Sequence, residues 1–230
     1  MHVDAAIRSR KSVRRFLPLN IPRDTVETIL ELAARAPSGN NVQPWRVHVL
    51  TGDAKRAFSE DVIKATEQEN ERHQPEYQYY PSNWFEPYLG RRRAVGYDLY
   101  EKLGLAREDR PGRARQELRN YEFFDAPVGL LITLDRRFST GSYMDLGMFI
   151  QNILLAARGR GLHTCAQAAF AWYHKIARQH VPIEDTHILA CGIALGHEDI
   201  DAPENTLQTP REKTSGFVTF HGYEPNSTPL

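Results

Sequence analysis

The chain has only two cysteines in 230 residues, and neither has a companion at metal-ligand spacing. A disulfide-stapled scaffold and a cysteine-built metal centre are therefore excluded, and Cys165 and Cys191, both in apolar surroundings, read as buried reduced thiols. Net charge is also missing: Lys and Arg total 29, and Asp and Glu total 29. With no global field to draw the protein to nucleic acid or an anionic membrane, any preference for a charged ligand is local. Long apolar runs are absent too. The stretch 127–134 is far shorter than the roughly 20 residues that span a bilayer, and the opening MHVDAAIRSRKS places charges where an export signal needs an apolar stretch of roughly 7 to 15 residues. The expectation is a cytoplasmic protein that engages neither membrane nor nucleic acid. The nine histidines form no H-x-x-x-H or H-E-x-x-H pattern, so His163, His174 and His180 read as surface or core residues and no metal site is expected.

What is present is an ordinary globular composition with many aromatics, 10 Phe, 10 Tyr and 3 Trp, enough to wall a pocket. The length suits one domain over 1–230. A short helix is expected over 4–11 with Asp4 as its cap, and a clearer one after Pro22, where Val26, Ile29, Leu30 and Ala33 share a face until Pro37 and Gly39 end it. Residues 46–50 read as a strand, and a charge-rich, exposed helix follows from about Asp53. Segment 74–118 changes character, crowding Tyr77, Tyr79, Tyr80, Trp84, Phe85 and Tyr88 ahead of Arg91, Arg92 and Arg93, and reads as an insertion or lid. Beyond it come a strand over 127–134, a helix over about 143–158 and a strand over 188–195. Residues 201–230, with four prolines, read as an extended tail suited to wrapping a partner subunit.

Two segments carry chemistry. Arg8 to Phe16 packs five cations into nine residues and places Arg10, Ser12 and Arg14 at alternate positions, which extended backbone points the same way. Guanidinium and hydroxyl donors so arranged suit a phosphate; a solvated basic turn is the plainer reading. Ala36 to Trp45 spends two Asn, a Gln and two Pro between a helix and a strand. Amides on a stiffened backbone suit a heterocycle edge or hydroxylated chain, and a packed turn plugged by Trp45 stands beside that reading.

Together the two segments resemble the nitroreductase family, whose amino-terminal signature R-x-S-x-R/K-x-F and later loop P-S-x-x-N-x-Q-P-W are both matched, by Arg10 to Phe16 and Pro37 to Trp45. Asp145 to Asn152 is similar to the family's central helix, Gly161 to Ala168 to its flavin-edge segment, and Arg211-Glu-Lys213 to its basic carboxy-terminal pair. The resemblance implies an α+β fold with a central, mostly antiparallel sheet flanked by helices and a tail swapped between the subunits of a homodimer. It implies FMN as cofactor, held by Arg10, Lys11, Ser12, Arg14, Arg211 and Lys213 in one subunit and by Pro37, Ser38, Gly39 and Asn41 of the other. Ala166, Gln167 and Ala168 would lie along the flavin edge, and Asn120, with Arg119 as alternative, would contact the pyrimidine. Family members often carry Pro, then Glu and Gly, at the positions held here by Ala166, Ala168 and Ala169, so a carboxylate associated with nicotinamide binding and proton delivery is missing. The implied activity is ping-pong reduction of nitroaromatic compounds such as nitrobenzoate or nitrobenzene to hydroxylamines with NADH or NADPH. A quinone or enone reductase and a flavin-storing or flavin-destroying relative are the alternatives. Trp84, Phe85, Tyr88 and Phe124 are the expected substrate contacts, with the three arginines open to a carboxylated acceptor, the extra phosphate of NADPH, or plain solvation.

Overall fold

In the computed structural model, residues 1–68 and 73–223 are described, so the end of the expected tail, 224–230, lies outside them. The chain alternates helices and strands: α1 (Val3–Ser9), β1 (Phe16–Leu17), α2 (Arg23–Ala33), β2 (Trp45–Thr51), α3 (Gly52–Glu67), α4 (Tyr88–Lys102), α5 (Arg110–Leu118), β3 (Val128–Asp135), α6 (Thr140–Gly159), β4 (His163–Gln167), α7 (His174–His180) and β5 (His187–Glu198). This is the expected α+β architecture, and every strand pair is antiparallel. β5 is the hub, pairing with β3, β4 and β1, while β2 closes the β3 edge. No helix among the described residues is long and apolar enough to cross a membrane.

The sheet forms because its central strands are apolar on both faces. All eight residues of β3 are buried. Val128, Leu130, Ile132 and Leu134 join one core with α2 and α6, while Leu131 faces the other way into a second core with Phe58, Phe123 and Phe170. Such two-sided burial is what lets helices cover both faces. In the first core Trp45 stacks on Phe149 at 4.7 Å and 5° between planes, so the plug reading of Trp45 holds at the strand's first residue. The second is aromatic throughout, Phe123 stacking on Phe170 at 4.4 Å.

Several expectations shift. α2 buries Val26, Ile29 and Ala33 as its spacing indicated. The amino-terminal helix, however, is capped by the His2 side chain accepting from the Asp4 backbone N–H, so Asp4 is an acidic first-turn residue rather than the cap. α3 is not fully exposed, since Phe58, Ser59 and Val62 are buried under its charged surface. Segment 74–118 contains two helices, α4 and α5, and none of α4 is fully buried. Both cysteines are free and buried, and burial pushes the Cys191 thiol up to about 12.

One close approach in this core admits no side chain. A Cβ added at Gly129 of β3 would lie 2.6 Å from the Phe123 ring, which is fully buried and held by Phe170. Gly129→Ala is expected to cost about 1–3 kcal/mol through overpacking, read as a lower urea midpoint at unchanged slope.

Candidate functional site

Strand β4 positions the site. Only five residues long, it runs along β5 while the amino-terminal basic segment lies beside it, Ser12 bridging Thr164 in parallel and the Val13 N–H donating to Thr164 O at 3.1 Å. Val13 is fully buried, so alternation turns Ser12 and Arg14 to the opposite side, as the spacing required. Arg10, Ser12 and Arg14 all act on the Cys165 thiol in the middle of β4: burial pushes it up, and the nearby Arg14, a Ser12 hydrogen bond and Arg10 oppose that rise. Burial and the charge of Arg211 together lower the Arg10 guanidinium below its ordinary value. Among the described residues neither Arg10 nor Arg211 has a carboxylate partner within ion-pair distance. Both line a cavity of about 880 Å³ with Arg8, Arg158 and His163. Guanidiniums so placed suit an anion, the one carboxylate of the cavity lining, Glu198, being taken up by Lys11.

The other sequence-selected residues separate. Lys11 lines the same cavity, but its ammonium is paired with Glu198 and donates to Asn205 O at 2.6 Å, which makes it a strut rather than a free donor. Lys213 is exposed and forms no ion pair or side-chain hydrogen bond among the described residues. Glu198 also receives His163 at 3.2 Å. Burial holds His163 below its usual range despite that carboxylate.

The far end of β4 opens on a second cavity of about 680 Å³, lined by Asn120, Ala166, Gln167, Ala168, Ala169 and Trp172, with Tyr77, Tyr79, Tyr80 and Arg92 from the insertion. Ala166 is exposed on the strand while Gln167 is buried and donates its amide to Asn120 O at 2.6 Å. The Asn120 side chain donates locally to Glu117 O. Arg119 is bound to both Glu122 and Asp125, which removes it as the alternative. Four strand steps separate His163 from Gln167, about 13 Å, so one strand links a cationic cavity to a flat, alanine-floored aromatic one. Burial raises Tyr77, whose hydroxyl donates to Ala190 O and anchors this wall to β5.

The expected substrate contacts need correction. Phe124 is 2% exposed and belongs to the second core, so it cannot touch a ligand. Phe85 and Tyr88 pack edge-to-face on each other at 5.1 Å, are largely exposed, and do not line the cavity. Trp84 supports the wall from behind, 5.2 Å from Tyr80 and under the Arg92 guanidinium.

Pro37 to Asn41 lies elsewhere in the subunit. Gly39 N–H donates to both Asp145 carboxylate oxygens at 3.3 Å, and Ser38 Oγ accepts from the Gln43 N–H at 3.0 Å. Asn40, Asn41 and Gln43 all adopt positive φ, an unusual density of left-handed residues without glycine. Arg158, at the opposite end of α6, donates to Ser9 Oγ at 2.9 Å beside the basic segment. Asp145 and Arg158 are 13 positions apart on α6, so the helix holds the two motifs about 20 Å apart.

Sequence reasoning missed the clasp that builds the anion site. Asn205, 2% exposed, accepts from Arg14 N–H at 2.7 Å and donates to Arg15 O and Asp199 O, both at 2.8 Å. Beside it the buried Glu204 accepts from Arg15 at 3.1 Å. Nothing local marks these residues, because their partners in the basic segment are about 190 positions away. Asn205→Ala leaves the half-buried Arg14 N–H and Asp199 O without this partner, while Arg15 O keeps the Asp199 N–H at 3.1 Å, and is expected to cost about 1–3 kcal/mol, measured by urea denaturation.

Set beside known proteins, the chain matches the nitroreductase family model over residues 7–197. It is 44% identical to a 4-nitrobenzoate reductase of Nocardioides sp. (strain LMS-CY), covering 94% of this chain and 89% of that one. It is 38% identical to a nitrobenzene nitroreductase of Ectopseudomonas oleovorans over 95% and 96% of the two chains. The fold superposes on the crystal structure of an FMN and NADPH-dependent nitroreductase, NfnB of Sphigopyxis sp. strain HMH, with a TM-score of 0.93 at 36% identity, covering 97% of this chain and all of that one.

Proposed function

The chain belongs to the nitroreductase family, and from that premise we propose that it is an FMN-dependent homodimer that uses NADPH or NADH to reduce nitroaromatic compounds to hydroxylamines. The observation that carries this reading is the pair of cavities joined by β4: Arg10 and Arg211, without a carboxylate partner among the described residues, at one end, and alanines under an aromatic wall at the other. That arrangement fits a ligand with a phosphate at one end and a flat heterocycle at the other, and the similar structure from Sphigopyxis is named as FMN and NADPH-dependent. FMN supplies hydride chemistry when bound.

Arg10, Ser12, Arg14 and Arg211 hold the phosphate and the adjoining hydroxylated chain by charge-assisted hydrogen bonds. Ala166, Ala168 and Ala169 let a planar ring lie against the strand, and Asn120 is the amide within reach of its polar edge. The same aromatic cavity receives donor and acceptor in turn, which makes the kinetics ping-pong. With alanine at position 168 no carboxylate stands there, so protons for the acceptor come from water. The loop Pro37–Asn41, held about 20 Å from its own subunit's basic segment, serves the site of the partner. Phe217, Phe220 and Tyr223, all more than 60% exposed, are then covered by the second subunit.

Purified protein is expected to show flavin absorbance that NADPH or NADH bleaches anaerobically and 4-nitrobenzoate or nitrobenzene restores. Inability to take up FMN overturns the reading, and faster restoration by a quinone than by any nitroarene reassigns the acceptor. Replacing both Arg10 and Arg211 by Gln should weaken FMN binding about 100-fold or more, read by fluorescence titration. Shared sites have a further signature. A Cβ at Gly39 lies no closer than 4.0 Å to its own subunit, at Asp145, so Gly39→Leu should fold and obstruct only the neighbour's site. Co-refolding this inactive variant with the inactive double-arginine variant should restore about a quarter of wild-type activity, since half the dimers are mixed and each mixed dimer has one intact site.

A further inference from the structure

Three consecutive arginines open α4, and the helix sends them in three directions, since successive residues are turned by about 100°. Arg91 is neutralised by Glu212 of the tail at 2.8 Å. Arg93 is exposed and does not line the aromatic cavity. Arg92 alone enters the cavity wall. Its guanidinium lies over the Trp84 ring at 4.8 Å, and Trp84 in turn packs on Tyr80 at 5.2 Å. That contact holds the guanidinium over the ring face, and among the described residues its N–H groups form no hydrogen bond and no carboxylate lies within ion-pair distance of it.

We infer that Arg92 reads a carboxylate on the aromatic acceptor, so that the preferred substrates are carboxylated nitroarenes of the nitrobenzoate type. This rests on the reading of the β4 cavity as the acceptor site. The two relatives named above act, by their names, on acceptors with and without a carboxylate, so the likeness alone does not choose between them. The free cation on the wall does. Apart from Glu117, the remaining lining is tyrosine, tryptophan, alanine, proline and amide, which accommodates a neutral nitroarene without rewarding a negative charge. One group opposes the assignment: Glu117 also lines the cavity, with Tyr100 O–H donating to it at 3.4 Å. Glu117 and Arg92 are both exposed, so solvent screens the repulsion and the attraction alike; the balance favours Arg92 because a planar guanidinium takes a carboxylate bidentately.

The test uses FMN-saturated protein and has two readouts. In turnover, Arg92→Gln is expected to lower kcat/KM for 4-nitrobenzoate about 10- to 100-fold and leave nitrobenzene within about 3-fold, with Arg92→Lys intermediate because it keeps charge but loses the fork. In calorimetric binding, benzoate should bind more tightly than its neutral counterpart benzamide, and Arg92→Gln should erase that difference. Glu117→Gln should strengthen benzoate binding a few-fold at low salt. An equal loss on both nitroarenes, no loss on either, or a loss confined to NADPH with NADH unaffected overturns the inference, the last assigning Arg92 to the donor's extra phosphate. Arg92-dependent benzoate binding in a protein that reduces no nitroarene would sustain the carboxylate site and refute the reading on which the substrate class rests.

Discussion

Two guanidinium groups of like charge, Arg10 and Arg211, line one cavity near enough for each charge to act on the other, and neither is ion-paired among the described residues. Left to itself that arrangement repels, and a free chain would separate the two groups into water. The fold prevents it by covalent and hydrogen-bonded restraint. Arg10 leaves a helix and passes directly into backbone laid against Thr164, while the chain that leads to Arg211 is fastened through Asn205 to the same segment. The repulsion is therefore offset by part-buried backbone hydrogen bonds and by the sheet behind them. Nearby charge is managed differently. Lys11 is neutralised by Glu198 in the same neighbourhood, and the unbalanced charge belongs to the arginines that line the cavity, Arg8, Arg10, Arg158 and Arg211, none of them ion-paired among the described residues.

The second constraint is the length and direction of β4. Its His163 end borders the cationic cavity and its Gln167 end the aromatic one, so a single strand sets the distance between the two parts of the site. The wall over the aromatic end belongs to the insertion, whose α4 has no fully buried residue. It is tied to the core by the ring of Tyr77, which packs beside Tyr143 at 5.7 Å, and by a few polar anchors. Tyr77 reaches Ala190 of β5, and Glu76 meets Arg136 at 2.8 Å, His174 at 3.3 Å and Arg178 at 3.4 Å. A wall fastened at one end by hydrogen bonds and ion pairs has a lower cost of opening than one built into the core, which suits a cavity that exchanges ligands.

Much was legible in the sequence because it is written in neighbouring residues. Helix α2 announced its buried face by spacing, β3 by an apolar run, and Arg10, Ser12 and Arg14 by alternation across a buried Val13. The two motifs were legible as motifs, since side-chain type at fixed spacing is a local property. Two buried thiols, a balanced charge and the absence of a spanning helix were likewise matters of composition. The nitroreductase resemblance rested on these same local words, and the match over residues 7–197 agrees with it.

Tertiary structure decided what depends on distant partners. That Phe124, in the turn before β3, is core follows from its packing into the second cluster, and that Tyr79 and Tyr80 line the cavity with β4 residues follows from where the insertion lies, which no periodicity within 74–118 encodes. The sequence offered Arg91, Arg92 and Arg93 as equals. Only the rotation of α4, with Glu212 waiting on one side and Trp84 on another, left one of them on the wall. Asn205 carried no signal at all, because a lone amide in a tail becomes a clasp only when a segment about 190 residues earlier is laid beside it. Local chemistry is set by the order of residues along the chain, whereas charge balance, burial and reach are set by which distant residues the packed core brings together.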